Sequence, residues 1–361
     1  MQELFYMFLF IFSLVYIFST KVPKEDIWIF SLTLIILFYS GIAATIKFGQ
    51  PVDLGLLEIR RALSILVYFP IVYLLRSKRM SYDRLERNIV WMAILCALLS
   101  VGIYIGWIPT LQPIEIKEGA PRELRFAIGQ AFVTIGIVLV LAPTAKKTQK
   151  NRLGKAALLV FVLLFIIQTR QLISIALIGL LFVGGIGRVL VLLGTVFLML
   201  AVSSGINFAT IMRFSEMFSS ALTDEYVSES WRALTILTVL NEFQNGNIFG
   251  SGGLYIGWKD GFHKIYGDFF FLADVGVFGS LYRFGLFAIL IYGAYFVLQI
   301  RILMKISNSE YKRLFSVLFL MLIAASPFAA PLETRGHVVG FILAATSYFK
   351  GNSQKSKRLL A

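Results

Sequence analysis

The stretch AALLVFVLLFIIQTRQLISIALIGLLFVGGIG, residues 156–187, decides the fold. It is almost wholly apolar, and its single charge is Arg170 near the centre. Because a transmembrane helix needs about 20 apolar residues, this length predicts a hairpin of short helices with Gln168-Thr169-Arg170-Gln171 as the turn. Three roles are open to Arg170: a buried structural cation, an anchor of the turn at the membrane surface, or part of a site that binds an anion.

Apolar segments of this kind recur along the whole chain. Of its 361 residues, 58% are hydrophobic and 15% are charged, whereas a soluble domain carries roughly 25% charged residues. The segments do not alternate in polarity as barrel strands do, so the sequence predicts an all-α, polytopic transmembrane bundle that forms a single domain over residues 1–361. The predicted spans, about eleven, are 3–19, 27–46, 57–75, 89–106, 126–143, 156–168, 171–187, 189–205, 269–299, 314–329 and 337–349.

Two short features refine this prediction. Residues 1–20 lack a basic n-region and a small-x-small cleavage site, which favours a first spanning helix over a signal peptide. Cys96 is the only cysteine and lies within an apolar segment. It therefore excludes a disulfide framework and a cysteine metal cluster, and it predicts a packing role.

The basic residues concentrate in alternate connections. The segments 76–87, 146–155, 301–313 and 350–361 carry 18 of the chain's 34 Lys and Arg. Because short basic loops stay cytoplasmic, the N-terminus is predicted outside and the C-terminus inside. The net charge of +14 then reflects topology, and no nucleic-acid partner is implied. Arg170 falls on the outer side, where its guanidinium can reach water or a headgroup.

The outer connections are 47–61, 108–125, 206–268 and 327–337, and the third is the longest. Long ordered loops in compact proteins are usually functional. Its central part, VSESWRALTILTVLNEFQNG, predicts an amphipathic helix on or over the membrane surface that ends at Asn245-Gly246, with Glu229 suited to the first turn. The glycines that follow, Gly250, Gly252 and Gly253, predict a tight turn.

Arginine dominates the outer cations, with eight Arg against four Lys. The guanidinium is a fixed fork of donors that suits a phosphate, whereas the lysine ammonium is a mobile point charge. The outer arginines therefore favour an anionic, phosphate-bearing ligand that enters from the bilayer. Headgroup contacts and pairing with nearby carboxylates are the alternative for each of them.

Ionisable residues also enter the apolar segment that follows the loop. Asp274 and Arg283 are nine positions apart, on opposite faces of a regular helix, so Asp274 is expected to form a structural ion pair elsewhere. The two histidines, His263 and His337, both map outside. Neither has a second histidine or cysteine at ligand spacing, so no metal site is predicted.

The order of motifs resembles the superfamily of O-antigen ligases and O-antigen polymerases. It comprises the QTRQ turn, two spans, and an outer loop that contains ESWRALTILTVLNEF and then NIFGSGG, followed by the helix entry DVGVFG. PRELRFAIGQAFVTIGIVL is similar to the family's outer-loop arginine leading into a span. The resemblance covers roughly 120–285. Ile248 stands where the family commonly has a proline, and His263 lies upstream of the family's histidine position, which Tyr266-Gly267-Asp268 occupies.

The resemblance implies transfer of a glycan from an undecaprenyl-pyrophosphate-linked donor to an acceptor hydroxyl, without a metal or cofactor. It places Arg170 and Arg232 at the family's pyrophosphate-contacting positions. Arg122, Arg125 or Arg213 would assist, and His263, Asp268 or Glu229 would take the proton of the acceptor hydroxyl. Membrane lipids, a flippase and a chain-length regulator are the expected partners.

The departures from the ligase pattern favour a polymerase of repeat units for O-antigen, capsule or exopolysaccharide at the outer face of the bacterial cytoplasmic membrane. A ligase with another acceptor is the alternative within this class. A lipid-linked oligosaccharide transporter is the alternative outside it. Transporters tend to show internal repeats and polar sites at the midplane of the bilayer, and the sequence shows neither.

Overall fold

The computed structural model describes residues 2–109, 129–142, 151–167, 169–184, 194, 227–259, 261–272 and 275–360. Every regular element in these ranges is helical, which confirms the all-α prediction for the described chain. The predicted span 189–205 apart from residue 194, the acidic Asp274, and the candidate cations Arg122, Arg125 and Arg213 lie outside the described residues.

The helices are numbered here in chain order within the described ranges. They are α1 Gln2–Ser19, α2 Lys24–Phe48, α3 Val52–Ile59, α4 Tyr68–Arg76, α5 Tyr82–Tyr104, α6 Gln130–Leu141, α7 Arg152–Phe161, α8 Arg170–Gly184, α9 Val227–Gln244, α10 Gly261–Tyr266, α11 Gly276–Phe284, α12 Phe287–Met304, α13 Ser309–Ala325, α14 Pro331–Thr334 and α15 Gly336–Leu360. A 3-10 segment, Arg60–Val67, precedes α4, and a π-helical segment, Val162–Ile167, follows α7.

Four described helices, α1, α2, α5 and α12, are long and apolar enough to cross a membrane. Shorter apolar helices lie at Gln130–Leu141 and Gln171–Val183. The chain therefore carries several helices that suit a bilayer, and the count of about eleven spans and their orientation stay predictions.

Contacts divide the chain into two compact units. The first comprises Met1–Met80, Tyr226–Phe315 and Leu322–Ala361, and the second comprises Ser81–Glu225 and Ser316–Met321.

The first unit is built around the 3-10 segment, against which α1, α2, α14 and α15 pack. Helix α15 approaches closely because Gly336 and Gly340 lack side chains: a Cβ at Gly336 would meet the Ser64 hydroxyl, and one at Gly340 would meet the Ile65 carbonyl. The predicted span 57–75 is thus α3, the 3-10 segment and α4 in succession rather than one regular helix.

The predicted span 269–299 is also divided. Helix α11 ends at Phe284, and Gly285 follows with φ 57° before α12 begins. A Cβ at Gly285 would collide with the Ile248 carbonyl, which accepts a hydrogen bond from the Leu286 N–H at 2.9 Å. A single helix over 269–299 was therefore the wrong prediction, since the chain turns at Gly285 to receive the outer loop.

The second unit packs α6 against α5, α7 and α8. Cys96 on α5 is buried, and Gly129 lies directly against its sulfur, as expected for a packing residue. The helical stretch of α7 and the π segment ends at Ile167, and a new helix begins at Arg170. The break falls at the predicted QTRQ turn, and the helices on both sides of it contact α6.

Four described ion pairs each join residues that are predicted on the same side of the membrane. Lys47–Glu242 and Arg60–Glu3 join residues that are all predicted outside. Arg76–Asp26 and Lys350–Glu25 join residues that are all predicted inside. A further pair, Arg283–Glu333, joins the predicted span 269–299 to the predicted outer connection 327–337.

Candidate functional site

Helix α9 carries two of the candidate residues, Glu229 and Arg232. The predicted helix is present and ends at Gln244, where Gly246 with φ 91° closes it as expected. Arg232 is exposed to solvent, and Glu229 lies in the first turn, its side chain outside the described part. The helix packs through Thr235 and Val239, while the apolar stripe of Trp231, Leu234, Leu237 and Leu240 is exposed.

His263 and Asp268 are brought together by α10 and the turn after it. The distance from His263 Nδ1 to Asp268 Oδ1 is 3.6 Å, and the Asp268 side chain is 93% exposed. The His263 ring stands edge-on to Phe271, and within the described structure Nδ1 is buried without a hydrogen-bond partner. The two groups are neighbours, but no donor among the described residues orients the carboxylate.

Arg170 is the first residue of α8, in the second unit, and its side chain lies outside the described part. The sequence therefore remains the sole basis for its proposed role.

The glycine turn is formed as predicted, with φ 81° at Gly250 and 72° at Gly252. The Ser251 N–H donates to the Tyr282 carbonyl at 2.7 Å, and the Gly252 N–H donates to the Arg283 carbonyl at 2.9 Å. On its other side, the Gly253 N–H donates to the Ser40 carbonyl of α2 at 3.2 Å. The turn therefore joins the outer loop to α2 and α11, and a Cβ at Gly252 would strike the backbone of α2.

A polar cluster forms where this turn meets the end of α2. Lys47 pairs with Glu242 at the end of α9 and donates to Ser251 Oγ at 2.8 Å. Asn247 Nδ2 donates to Ser251 Oγ at 2.7 Å and to Glu242 Oε2 at 3.3 Å. The Lys47 and Glu242 side chains are 28% and 27% exposed. With the phenols of Tyr266 and Tyr282, these residues are called the Lys47 cluster.

The two tyrosines form the wall of the cluster. Tyr282 Oη donates to Tyr266 Oη at 2.8 Å, and Lys47 Nζ lies 5.8 Å from the centre of the Tyr282 ring. Tyr266 stacks on Phe270, and Phe262 stands edge-on to Tyr282. Burial raises the pKa of Tyr266 well above its usual range, and the Glu242 carboxylate acts in the same direction.

A second polar group lies behind the turn and is buried. Arg283 donates to Glu333 at 2.5 Å, and Glu333 also accepts from Ser280, which contacts Tyr292 at 3.0 Å. Arg283 is 8% exposed and Glu333 is 3% exposed. This pair ties α11 to α14, and its burial indicates a structural role.

The sequence analysis missed Lys47, Glu242, Asn247 and Ser251. Lys47 and Glu242 are 195 positions apart, so no local spacing could link them. The sequence feature that could have pointed to this contact was the glycine turn. Glycines allow two backbones to approach closely, so the residues beside the turn come next to the helix on which the turn packs.

No group of three or more His, Cys, Asp or Glu side chains suited to a metal occurs among the described residues. No family model, curated protein or solved structure matches this chain.

Proposed function

We propose that this chain is an integral membrane glycosyltransferase that polymerises undecaprenyl-pyrophosphate-linked oligosaccharide repeat units at the outer face of the bacterial cytoplasmic membrane. The observation that supports this most is the meeting of two predicted outer connections, 47–61 and 206–268, at the Lys47 cluster. A carboxylate, an ammonium, an amide and phenols gathered beside aromatic rings can bind and activate a sugar hydroxyl.

The place of the cluster at the end of an apolar helix face also supports a lipid-linked substrate. Ile35, Phe38, Ile42 and Ile46 are exposed along one side of α2, as expected for a face that contacts lipid. Lys47 directly follows this face, and Phe249, 69% exposed, lies beside the cluster in sequence. The polar groups would therefore meet a headgroup-borne saccharide at the surface of the bilayer.

The donor's pyrophosphate requires fixed cations, because negative charge grows on it as the glycosidic bond breaks. The resemblance assigns this role to Arg170 and Arg232, with Arg122, Arg125 and Arg213 assisting. Arg232 is exposed on α9. It precedes Glu242 by ten positions, about 15 Å along the helix, which leaves room for a sugar between the pyrophosphate and the cluster.

Reconstitution of the purified protein with a labelled lipid-linked repeat unit tests the proposal. A ladder of longer lipid-linked glycans without any ion gradient is expected. Transfer to a different acceptor would identify a ligase, and movement of unmodified lipid across the bilayer would identify a transporter. A wild-type protein that makes no longer glycan would rule the polymerase out.

A further inference from the structure

We propose that Glu242 is the general base of the transfer reaction and that Lys47 and Asn247 position it. This inference rests on the proposed function and concerns a residue that the sequence motifs did not single out. Among the described carboxylates of the outer loop, Glu242 is the one held by several donors while part of its surface stays open.

The contacts of Glu242 fix its orientation. Lys47 and Asn247 both donate to Oε2, and Lys47 is itself held by Ser251 Oγ at 2.8 Å. A catalytic base works best when neighbouring groups lock its rotamer, and the 27% of the Glu242 side chain that is exposed leaves an edge for a substrate hydroxyl.

The other described candidates lack such support. Asp268 is 93% exposed and lies 3.6 Å from His263, beyond hydrogen-bond distance. His263 Nδ1 is buried, and within the described structure no acceptor orients the ring. A base must be positioned before its acidity matters, and that criterion selects Glu242.

The proposed reaction is a displacement at the anomeric carbon of the donor sugar. The acceptor oxygen forms a bond to that carbon while its proton passes to the Glu242 carboxylate. The bond from the anomeric carbon to the pyrophosphate oxygen breaks, and its electron pair leaves on the undecaprenyl pyrophosphate. Glu242 then returns the proton to water through its exposed edge.

The competing explanation is that Lys47–Glu242 is only a tie between α2 and α9. Three variants separate the two explanations: Glu242→Gln, the reversed pair Lys47→Glu with Glu242→Lys, and Glu242→Ala assayed with and without formate. Glu3→Gln, which removes the partner of Arg60 on the same predicted side, is the matched control. Transfer and thermal unfolding are measured for each purified protein.

Glu242→Gln is expected to lower the transfer rate about 100-fold or more, while Glu3→Gln stays near wild type. The reversed pair should regain the wild-type unfolding temperature but remain inactive, since its carboxylate now stands on α2. Formate should partly restore transfer by Glu242→Ala, because a small carboxylate can enter the vacated space.

Activity of Glu242→Gln within threefold of wild type, or an active reversed pair, would overturn the assignment and leave the polymerase intact. An inactive wild-type protein would instead overturn the polymerase and this assignment together. Failure of formate to rescue a folded Glu242→Ala protein would also count against a base at this position.

Discussion

Arginine and lysine hold a phosphate differently, and this difference separates the two explanations for Arg170 and Arg232. A guanidinium can donate two parallel hydrogen bonds, whereas an ammonium supplies charge without the fork. Both side chains can reach a headgroup from the membrane surface. An arginine that only anchors the chain at the membrane surface should therefore tolerate replacement by lysine. An arginine that binds pyrophosphate should not.

Arg170→Lys and Arg232→Lys are each expected to lower the transfer rate tenfold or more, about 1.4 kcal/mol at the barrier. Lys259 is an exposed cation on the same loop as Arg232 and lies over the Trp258 ring. Lys259→Arg should change the rate little. Transfer rates and membrane abundance are measured together, because a misfolded protein would mimic a dead site. Normal polymer from Arg170→Lys at normal abundance would leave this arginine a structural one.

A second residue-scale prediction concerns Asp26, which is fully buried. It accepts from Arg76 at 2.5 and 3.1 Å and from Tyr68 at 2.6 Å, and Ser347 also contacts Arg76 at 2.9 Å. Removing one partner of a buried pair leaves the other charge uncompensated, so Asp26→Asn should lower the free energy of unfolding by about 3–5 kcal/mol.

The exposed pair Arg60–Glu3 provides the comparison, since surface pairs contribute about 0–1 kcal/mol. Thermal unfolding of Asp26→Asn and Glu3→Gln in detergent measures the difference. Equal unfolding temperatures for the two variants would show that the Asp26 network is not a main support of the first unit.

At the scale of elements, the glycine turn is the joint on which the site depends. Gly252→Ala places a Cβ against the Ser40 carbonyl and the Ala44 nitrogen of α2, at a backbone φ of 72°. Gly246→Ala has a similar φ, 91°, but its Cβ meets nothing within 4 Å. Gly246→Ala is therefore the control, and it should lose only the ~1–2 kcal/mol of stability that a left-handed backbone costs a residue with a side chain.

Gly252→Ala should lower the free energy of unfolding by about 2 kcal/mol more than Gly246→Ala does. It should also abolish transfer, because the turn carries Ser251. Unfolding temperature and transfer rate are measured for both variants. If the two substitutions proved equally harmful, close contact between the turn and α2 would not be needed.

Hydrophobic pattern predicted the elements well where one helix spans one apolar run. The segments 3–19 and 27–46 correspond closely to α1 and α2. The pattern failed at 269–299, because an apolar run does not reveal that Gly285 must turn to meet Ile248. It also did not show which side of α9 packs, since Thr235 bonds the Phe269 carbonyl at 3.1 Å while the leucines stay exposed.

The site was less predictable than the elements. The sequence analysis offered His263 and Asp268 as candidate bases, and the structure places them 3.6 Å apart. Glu242 could not be selected from sequence, because its proposed role depends on a contact with Lys47, 195 positions away. It also depends on the packing of the glycine turn against α2, which is a tertiary contact. Local motifs identified the loop 206–268, and only the fold identified the residues that the loop contacts.

At the scale of the whole molecule, the central claim is that sugar transfer takes place at the outer face. The pairs Lys47–Glu242 and Arg76–Asp26 lie in connections that are predicted on opposite sides of the membrane. The basic connections predict that Arg76–Asp26 is on the cytoplasmic side. Function and topology are therefore coupled, and one measurement can test both.

That measurement is the transfer activity of sealed vesicles of known orientation, supplied from outside with a water-soluble, short-chain analogue of the lipid-linked repeat unit. Orientation is read from labelling by an impermeant thiol reagent at Asn245→Cys or Ser77→Cys in a Cys96→Ser background. Vesicles that expose position 245 should extend the analogue, and vesicles that expose position 77 should not. Equal labelling at both positions, or extension in the vesicles that expose position 77, would contradict an outer-face glycosyltransferase.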